Sequence, residues 1–189
     1  MVLILASTSA IRRQMLDAAG VAYEAVKPQV DEAELKLGLT SGEEIARRLA
    51  EAKAVSVAGD WVIGSDSVVS VEGRLFDKPR DRGEAAEHLR FFSGKTMQLT
   101  SSVALARGGA VDWTHVETVR LEVRPLSDAF IETYLDAEWP EVGHCVGVFR
   151  LEGRGVQLFE RIGGDHFTVL GMPLIPLLGA LRERGVLVA

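Results

Sequence analysis

A group of hydroxyl and guanidinium side chains lies near the amino end of the chain, where an apolar run passes into a helical pattern. The segment LILASTSAIRRQML contains three neighbouring hydroxyl residues and two arginines one turn later, namely Ser7, Thr8, Ser9, Arg12 and Arg13. A helix start presents unpaired N–H groups and a partial positive charge, and these side chains add further donors. Such donors suit a phosphate-bearing ligand. Serines that only cap the helix and arginines that are only solvated would give the same pattern, so the segment leaves both interpretations open.

Asp66 is the strongest acidic candidate because it interrupts an apolar strand pattern. It lies in the segment IGSDSVV, between small and branched apolar residues. A charged side chain in such a strand is costly unless it is paired or bound to a metal. A carboxylate can hold a divalent cation such as Mg²⁺ or Mn²⁺, which neutralises phosphate charge and activates water. The alternative is that Asp66 caps a turn.

Three further charged residues are weaker candidates when each is taken alone. Glu32 lies in VDE and Lys78 in FDKPR, whereas Lys53 lies in a strongly amphipathic helical pattern. Taken alone, each of them fits a solvated surface position better than a functional one. Combined with Asp66 and the hydroxyl-arginine segment, they favour a site for polyphosphate chemistry, with Glu32 and Asp66 as the candidate metal ligands.

The histidines and the single cysteine form no recognisable metal or nucleophile pattern. The residues concerned are His88, His115, His144, His166 and Cys145. Their spacing supports neither a zinc site nor a Ser-His-Asp triad. Cys145 fits a small buried thiol better than a nucleophile.

Length and composition favour a single domain, residues 1–189, with two lobes at most. The 189 residues suffice for a sizeable core, and the formal net charge of −6 disfavours nucleic-acid binding by a broad basic face. The longest apolar stretch, 169–181, is too short to span a bilayer, and no secretory signal is visible. One cysteine allows no internal disulfide. We therefore expect a cytoplasmic protein that binds neither nucleic acid nor membrane.

The order of local patterns predicts an α/β fold with a mixed sheet. Helices are expected at 9–19, 41–58, 81–92, 127–137 and 172–184, and strands at 2–6, 21–28, 61–71, 96–106, 110–123 and within 155–164. The strand at 61–71 is expected to be interrupted at 64–66, and VDEAEL is expected to be a loop. The two long strands joined by RGG are expected to form a hairpin. Strands and helices alternate early and a hairpin comes later, which favours a mixed over a purely parallel sheet.

Taken together, these segments resemble the Maf family of nucleoside triphosphate pyrophosphatases. LILASTSAIRRQML is similar to the family's opening L-x-L-A-S-x-S-P-x-R, with Ala10 in place of the usual proline. VDE, LAEAKA, VIGSDSVV, DKPRDRGEAAEHLRFFSGKT and VLGMPLIPLL are similar to its later motifs and follow in the same order. Several matches in order, over nearly the whole chain, are far more specific than any single one.

The resemblance implies a fold, an activity and a set of site residues. The fold would be an elongated, twisted mixed β-sheet flanked by helices, with a cleft between two lobes, of the Maf/ITPase type. The activity would be hydrolysis of a nucleoside triphosphate to the monophosphate and pyrophosphate with a divalent cation, in a house-cleaning role. Asp66 matches the proposed general base, and Ser7 and Arg12 match phosphate-contacting positions, with Ser9 and Arg13 beside them. Glu32, Lys53 and Lys78 match the remaining active-site positions.

Three positions bear on the choice of substrate. Ile11, Ser67 and Glu152 fall where the dTTP/UTP and 7-methyl-GTP subfamilies differ, and neither signature is complete here. The segment around Glu152 is nearer to the 7-methyl-GTP branch, which favours a purine or modified-purine triphosphate. The alternative is a regulator of cell division or septum formation that binds a nucleotide without turnover. Family members often form dimers, so the resemblance also allows a homodimer without indicating its interface.

Overall fold

The computed structural model of the protein describes residues 2–188. Within them lie seven strands: β1 Leu3–Ala6, β2 Glu24–Val26, β3 Trp61–Val71, β4 Arg74–Phe76, β5 Thr96–Arg107, β6 Ala110–Val123 and β7 Phe159–Gly163. The α-helices are α1 Ala10–Ala18, α2 Glu32–Lys36, α3 Gly42–Val55, α4 Arg82–Phe92, α5 Asp128–Glu138, α6 His166–Val169 and α7 Leu174–Glu183. Two short 3₁₀ helices span Glu141–His144 and Arg154–Leu158. None of the helices in this part of the chain is both long enough and apolar enough to cross a membrane.

All seven strands belong to one mixed sheet. Its order is β2-β1-β3-β5-β6-β7, and β4 pairs with β3 outside this path. β1 runs parallel to both β2 and β3, whereas β4 is antiparallel to β3 and β7 is antiparallel to β6. β5 and β6 are neighbours joined by a tight turn at 108–109. The predicted α/β class, the mixed sheet with flanking helices and the hairpin are therefore confirmed.

The chain divides into two compact units. The first unit comprises Met1–Ser67, Thr100–Glu117 and Asp165–Ala189, and the second comprises Val68–Leu99 and Thr118–Gly164. The predicted cleft between two lobes, and the elongated shape, stay predictions.

In the first unit, helices cover both faces of the parallel strands. Leu3 and Leu5 of β1 pack in one apolar cluster with residues of α1 and α7. Ile4 and Ala6 belong to a second cluster, which contains Ala50 and Ala54 of α3. Successive strand residues point to opposite faces, so a strand buried on both sides must be apolar throughout. This explains the uninterrupted run LILA.

In the second unit, α4 and α5 are joined by ion pairs and α4 carries an aromatic cluster. Arg82 contacts the carboxylates of Glu132 at 2.8 Å and Asp136 at 2.6 Å. The rings of Phe76, His88 and Phe92 contact one another, mostly edge to face. These contacts hold α4 on its neighbours.

Two local predictions were wrong. β3 is one continuous strand through 61–71, because the sheet pairs it with β1 and the charge of Asp66 is met by a lysine rather than by a turn. VDEAEL is not only a loop, since Glu32–Lys36 forms α2. Asp31 caps this helix, and its side-chain oxygen accepts from the backbone N–H groups of Ala33 and Glu34 at 3.1 Å.

Candidate active site

The junction of β1 and α1 places the first group of candidate residues. Ser9 occupies the N-cap position and the helix begins at Ala10, so the helix predicted over 9–19 is present. The Ser9 side chain makes no capping hydrogen bond within the described structure; instead Ser7 Oγ accepts from the Ser9 backbone N–H at 3.1 Å. Ser7 is buried. The Ser9 hydroxyl is therefore not used to cap α1.

Gly64 brings β3 unusually close to α3. A Cβ atom at this position would lie 2.1 Å from the Ala50 carbonyl oxygen and 2.4 Å from the Ala54 backbone nitrogen. Glycine allows such close approach because it has no side chain. The contact brings the last turn of α3, with Lys53, against the segment of β3 that contains Asp66.

Lys53 is the centre of a three-residue ion-pair cluster, which we call the Lys53 cluster: Glu32, Lys53 and Asp66. Its Nζ lies 2.5 Å from Asp66 Oδ1 and 2.7 Å from Glu32 Oε1. Lys53 is 7% exposed and Asp66 is 9% exposed, whereas the Glu32 side chain is 46% exposed. One ammonium thus joins two carboxylates at the border between interior and solvent. The alternatives of a solvated Lys53 and a turn-capping Asp66 do not hold.

Arg12 is fixed beside this cluster. Its Nε donates to the Gly171 carbonyl at 3.0 Å, its Nη1 to the Ser65 carbonyl at 2.9 Å and its Nη2 to Ser67 Oγ at 3.3 Å. Burial lowers the pKa of the Arg12 guanidinium from its ordinary value, and the carboxylates of Asp66 and Glu32 oppose that shift. Arg12 nevertheless stays charged, because no protein environment deprotonates a guanidinium.

A cavity of about 560 Å³ adjoins the Lys53 cluster within the first unit. It is lined by residues of the loops after β1 and β2 and by the start of α2: Thr8, Lys27, Pro28, Val30, Asp31 and Glu32. Lys27 was not among the predicted site residues, and Thr8 was not predicted to line a cavity. A signal existed, because β1 and β2 are parallel with Ala6 opposite Val26. Loops that follow neighbouring parallel strands emerge at the same edge of a sheet.

The other candidate residues of the first unit differ in burial. Ile11 and Ser67 are half-buried, whereas Arg13 is exposed on α1. The backbone carbonyl of Arg13 accepts from the Tyr23 hydroxyl at 3.2 Å. Arg13 is thus the one predicted phosphate-site residue of this unit that the structure leaves on the open surface of its helix.

Lys78 and Glu152 belong to the second unit. Lys78 is exposed between β4 and α4, and Glu152 Oε1 lies 3.5 Å from Arg150 Nε. Both influence Cys145: burial, with a smaller contribution from Glu152, raises the pKa of its thiol to about 11, and Arg150 and Lys78 oppose the shift. The thiol is therefore protonated at neutral pH, which agrees with the prediction that Cys145 is not a nucleophile.

Two residues that contact Arg12 or its partner Ser67 were not among the predicted site residues. Gly171, in the segment VLGMPL, supplies the carbonyl that receives Arg12, and Ser101 on β5 contacts Ser67. Gly171 lies in a quoted motif but carries no chemistry in its side chain, and Ser101 lies in an ordinary strand pattern. Only the folded arrangement identifies them.

The α/β fold thus brings a guanidinium, an ammonium and two carboxylates together, and one of these carboxylates, that of Glu32, also lines the cavity. The profile of the family described as Maf-like protein matches residues 2–184. The chain therefore belongs to the Maf family, as the motifs predicted.

Curated relatives extend over almost the whole chain. A protein of Rhizobium meliloti (strain 1021) named 7-methyl-GTP pyrophosphatase is 48% identical over 193 residues, which cover 98% of this chain and 97% of the relative. A protein of Nitrobacter hamburgensis named nucleoside triphosphate pyrophosphatase is 47% identical over 191 residues, covering 98% and 95%. A second 7-methyl-GTP pyrophosphatase, from Rhizobium etli, is 44% identical over 193 residues, covering 98% and 97%.

Proposed function

We propose that this protein is a nucleoside triphosphate pyrophosphatase, a hydrolase that cleaves the triphosphate to a nucleoside monophosphate and pyrophosphate. Membership of the Maf family and relatives named for this activity, at 47–48% identity, support the assignment. The observation that carries it is the Lys53 cluster with Arg12 beside it, because two fixed cations and two carboxylates can handle a polyphosphate and a water together.

In the proposed reaction, water attacks the α-phosphorus and pyrophosphate leaves. Negative charge grows on the bridging oxygen and on the leaving group as the bond breaks. Arg12 and Lys53 would stabilise that charge, since both are held before the substrate arrives and need no reorganisation. Asp66 would orient the water or take its proton, because its contact with Lys53 uses only Oδ1 and leaves Oδ2 for the water.

A divalent cation belongs to the proposal, and the donor set fits it in part. Mg²⁺ commonly takes one or two carboxylates together with substrate phosphate oxygens and water. Asp66 and Glu32 supply oxygens of that kind, but the described residues contain no group of three or more His, Cys, Asp or Glu side chains placed to hold a metal. The cation, Mg²⁺ or Mn²⁺, would thus be shared with the substrate and would neutralise phosphate charge there. Ser7 and the amino end of α1 would meet other phosphate oxygens.

For the substrate we propose a purine or modified-purine triphosphate, with 7-methyl-GTP as the leading candidate. Two of the relatives described above carry 7-methyl-GTP in their names. Glu152 would accept hydrogen bonds from a guanine edge. A carboxylate only accepts hydrogen bonds, whereas the amide expected at this position in a pyrimidine-selective protein both donates and accepts them. Lys78 and Glu152 are carried over from the family motifs as site residues, and Ile11 and Ser67 as positions that influence the choice of base.

A nucleotide panel tests the proposed function. Purified protein is incubated with 7-methyl-GTP, GTP, ATP, dTTP and UTP in the presence of Mg²⁺ or Mn²⁺, and released pyrophosphate is measured. We expect turnover of at least one purine triphosphate. No turnover of any nucleotide, together with nucleotide-dependent thermal stabilisation, would instead identify a binding protein without catalysis.

Asp66→Asn is the variant that tests the mechanism. We expect pyrophosphate release to fall by at least about 100-fold, the typical contribution of a positioned general base, with nucleotide-dependent stabilisation retained. The matched control is Asp136→Asn, which also removes the charge of an ion-paired aspartate but at an exposed position beside Arg82. The control should stay within about twofold of the unmodified protein. Unchanged activity of Asp66→Asn would remove Asp66 from the chemistry.

A further inference from the structure

The hydrogen bonds of Arg12 decide which parts of its guanidinium remain for a ligand. A guanidinium has five N–H groups. Three of them are used within the protein, by the Gly171 carbonyl, the Ser65 carbonyl and Ser67 Oγ. One N–H therefore remains on each terminal nitrogen, so two N–H groups are left for contacts with a phosphate. The orientation of that pair depends on the groups that hold the other three.

The Gly171 carbonyl is the main anchor. Besides Arg12 Nε, it accepts from Ser65 Oγ at 3.0 Å and lies 3.2 Å from Ser67 Oγ. Gly171 has a φ of +103°, and a Cβ atom there would lie 3.2 Å from Ser67 Oγ and 3.6 Å from Arg12 Nη2. Only glycine takes this conformation readily and leaves room for both neighbours.

Ser101 contacts Ser67 and the turn that carries the Gly171 carbonyl. Its Oγ donates to the Thr168 carbonyl at 2.9 Å and lies 2.8 Å from Ser67 Oγ. The Thr168 carbonyl also accepts the Gly171 N–H at 3.0 Å. Ser101 and Thr168 are fully buried. Ser101 thus touches both the turn that carries the Gly171 carbonyl and the hydroxyl that receives Arg12.

The number of hydrogens that each hydroxyl can donate sets the direction of the hydrogen bonds that link Arg12, Ser67 and Ser101. Each serine hydroxyl has one hydrogen to donate. Ser101 gives its hydrogen to the Thr168 carbonyl, so the hydrogen between the two serines comes from Ser67, which shares it between Ser101 Oγ at 2.8 Å and the Gly171 carbonyl at the longer distance of 3.2 Å. Ser67 in turn accepts from Arg12 Nη2. The order is Arg12 to Ser67 to Ser101 to the Thr168 carbonyl, and no hydrogen of Ser67 remains for a nucleotide.

We propose that Ser101 is a positioning residue that, through Ser67 and the Gly171 turn, orients the two remaining N–H groups of Arg12 toward the substrate phosphates. The proposal rests on the proposed function and adds a residue that touches neither substrate nor cation. It also changes the role of Ser67, whose identity influences activity through Arg12 rather than by contact with the base.

The test compares Ser101→Ala with Ser102→Ala. Both serines are fully buried neighbours on β5, and both donate to a backbone carbonyl, since Ser102 Oγ donates to the His115 carbonyl at 3.1 Å. Of the two serines, only Ser101 belongs to the series of hydrogen bonds that leads through Ser67 to Arg12. We expect kcat/KM for the purine triphosphate turned over fastest to fall about tenfold in Ser101→Ala, mostly in kcat, and to stay within about twofold in Ser102→Ala.

A second readout follows Arg12 without activity. The Nε–H of Arg12 is observed by ¹H–¹⁵N spectroscopy and assigned by its loss in Arg12→Lys. A held Nε–H exchanges slowly with water, so its signal should persist in the unmodified protein and in Ser102→Ala and should broaden in Ser101→Ala. Ser67→Ala, at a half-buried position, should reproduce both effects, and the double variant Ser67→Ala/Ser101→Ala should lose little more.

The outcomes separate this inference from the proposed function. If Ser101→Ala matches Ser102→Ala in kcat and in the Arg12 signal, the positioning role is overturned even though the enzyme is active. Additive losses in the double variant would overturn it as well. If the unmodified protein releases no pyrophosphate, the proposed function fails, and the Arg12 signal alone still decides whether Ser101 holds the guanidinium.

Discussion

At the scale of single residues, the Lys53 cluster shows how the interior tolerates charge. An unpaired buried ammonium or carboxylate is very costly, and partners offset that cost. Lys53 meets this requirement with two carboxylates, one as buried as itself and one at the surface. The cluster is therefore a unit, and removing its centre leaves two like charges facing each other.

We predict that Lys53→Met destabilises the protein by about 3 kcal/mol, because breaking a buried ion pair leaves an uncompensated charge. Lys53→Met/Asp66→Asn should recover part of that loss, since the second change removes the charge that was left alone. Free energies of unfolding from urea titrations of the two variants measure the difference.

Lys95→Met is the matched control for this prediction. Lys95 forms an ion pair with Glu72 at 2.9 Å, but both side chains are substantially exposed. Exposed pairs contribute little, so we expect a loss of about 1 kcal/mol or less. A double variant no more stable than Lys53→Met would show that Asp66 is not the charge that Lys53 compensates.

At the scale of elements, the contact of β3 with α3 determines whether the Lys53 cluster forms. The close approach at Gly64 sets the spacing between the two elements. We predict that Gly64→Ala costs at least about 3 kcal/mol in the free energy of unfolding, because the added methyl group meets backbone atoms that cannot move aside alone. It should also reduce activity, since Lys53 and Asp66 would separate.

Gly179→Ala is the control for the glycine substitution. Gly179 lies in α7 and a Cβ atom there has no neighbour within 4 Å. Alanine favours a helix, so we expect a gain of up to about 1 kcal/mol. Thermal unfolding of both variants measures the contrast, and a Gly64→Ala protein as stable as Gly179→Ala would contradict the close packing.

The elements that sequence predicted well are those with strong local signals. The start of α4 follows from Asp81, whose Oδ1 accepts from the Glu84 N–H at 2.8 Å, whereas Ser9 holds the N-cap position of α1 without a side-chain capping bond. The hairpin of β5 and β6 follows from two long strand patterns around adjacent glycines. α2 was missed although Asp31 is a good capping residue, because five residues are too few to show a period.

The site was predictable only where a residue conflicts with its local pattern. Asp66 stands out because a charge within an apolar strand needs a partner, but its partner on α3 depends on how two elements pack. The contact of Arg12 with the Gly171 carbonyl joins residues 159 positions apart. No spacing rule predicts such a contact, and a backbone carbonyl leaves no trace in the residue types.

At the scale of the whole molecule, a buried histidine makes stability depend on pH. His88 is 9% exposed, and its Nδ1 is buried without a hydrogen-bond partner among residues 2–188. Burial lowers the pKa of His88 below its ordinary value of 6.5, with a smaller contribution from Arg74, while Glu84, Glu87 and Asp77 oppose the shift. The folded protein therefore holds the neutral form.

The sign of the pH effect follows from this shift. Below pH 6.5 the unfolded chain binds a proton at His88 that the folded protein resists, so stability falls as the pH decreases and levels off below the folded-state pKa. We predict that His88→Phe, which suits the surrounding rings of Phe76 and Phe92, makes the decline between pH 7 and pH 5 shallower. Urea titrations across this range measure it, with His144→Gln at an exposed position as the control. An equal slope in all three proteins would show that His88 does not contribute.

The anchor of Arg12 has a consequence for biosynthesis. The amino end of a growing chain leaves the ribosome first. Arg12 therefore emerges long before the Gly171 carbonyl that receives its Nε–H. Until then the early strand and helix lack the acceptor that fixes the guanidinium. A nascent or truncated product that stops before this residue would contain every charged group of the Lys53 cluster, but Arg12 would lack the acceptor of its Nε–H and would keep only the contacts with Ser65 and Ser67.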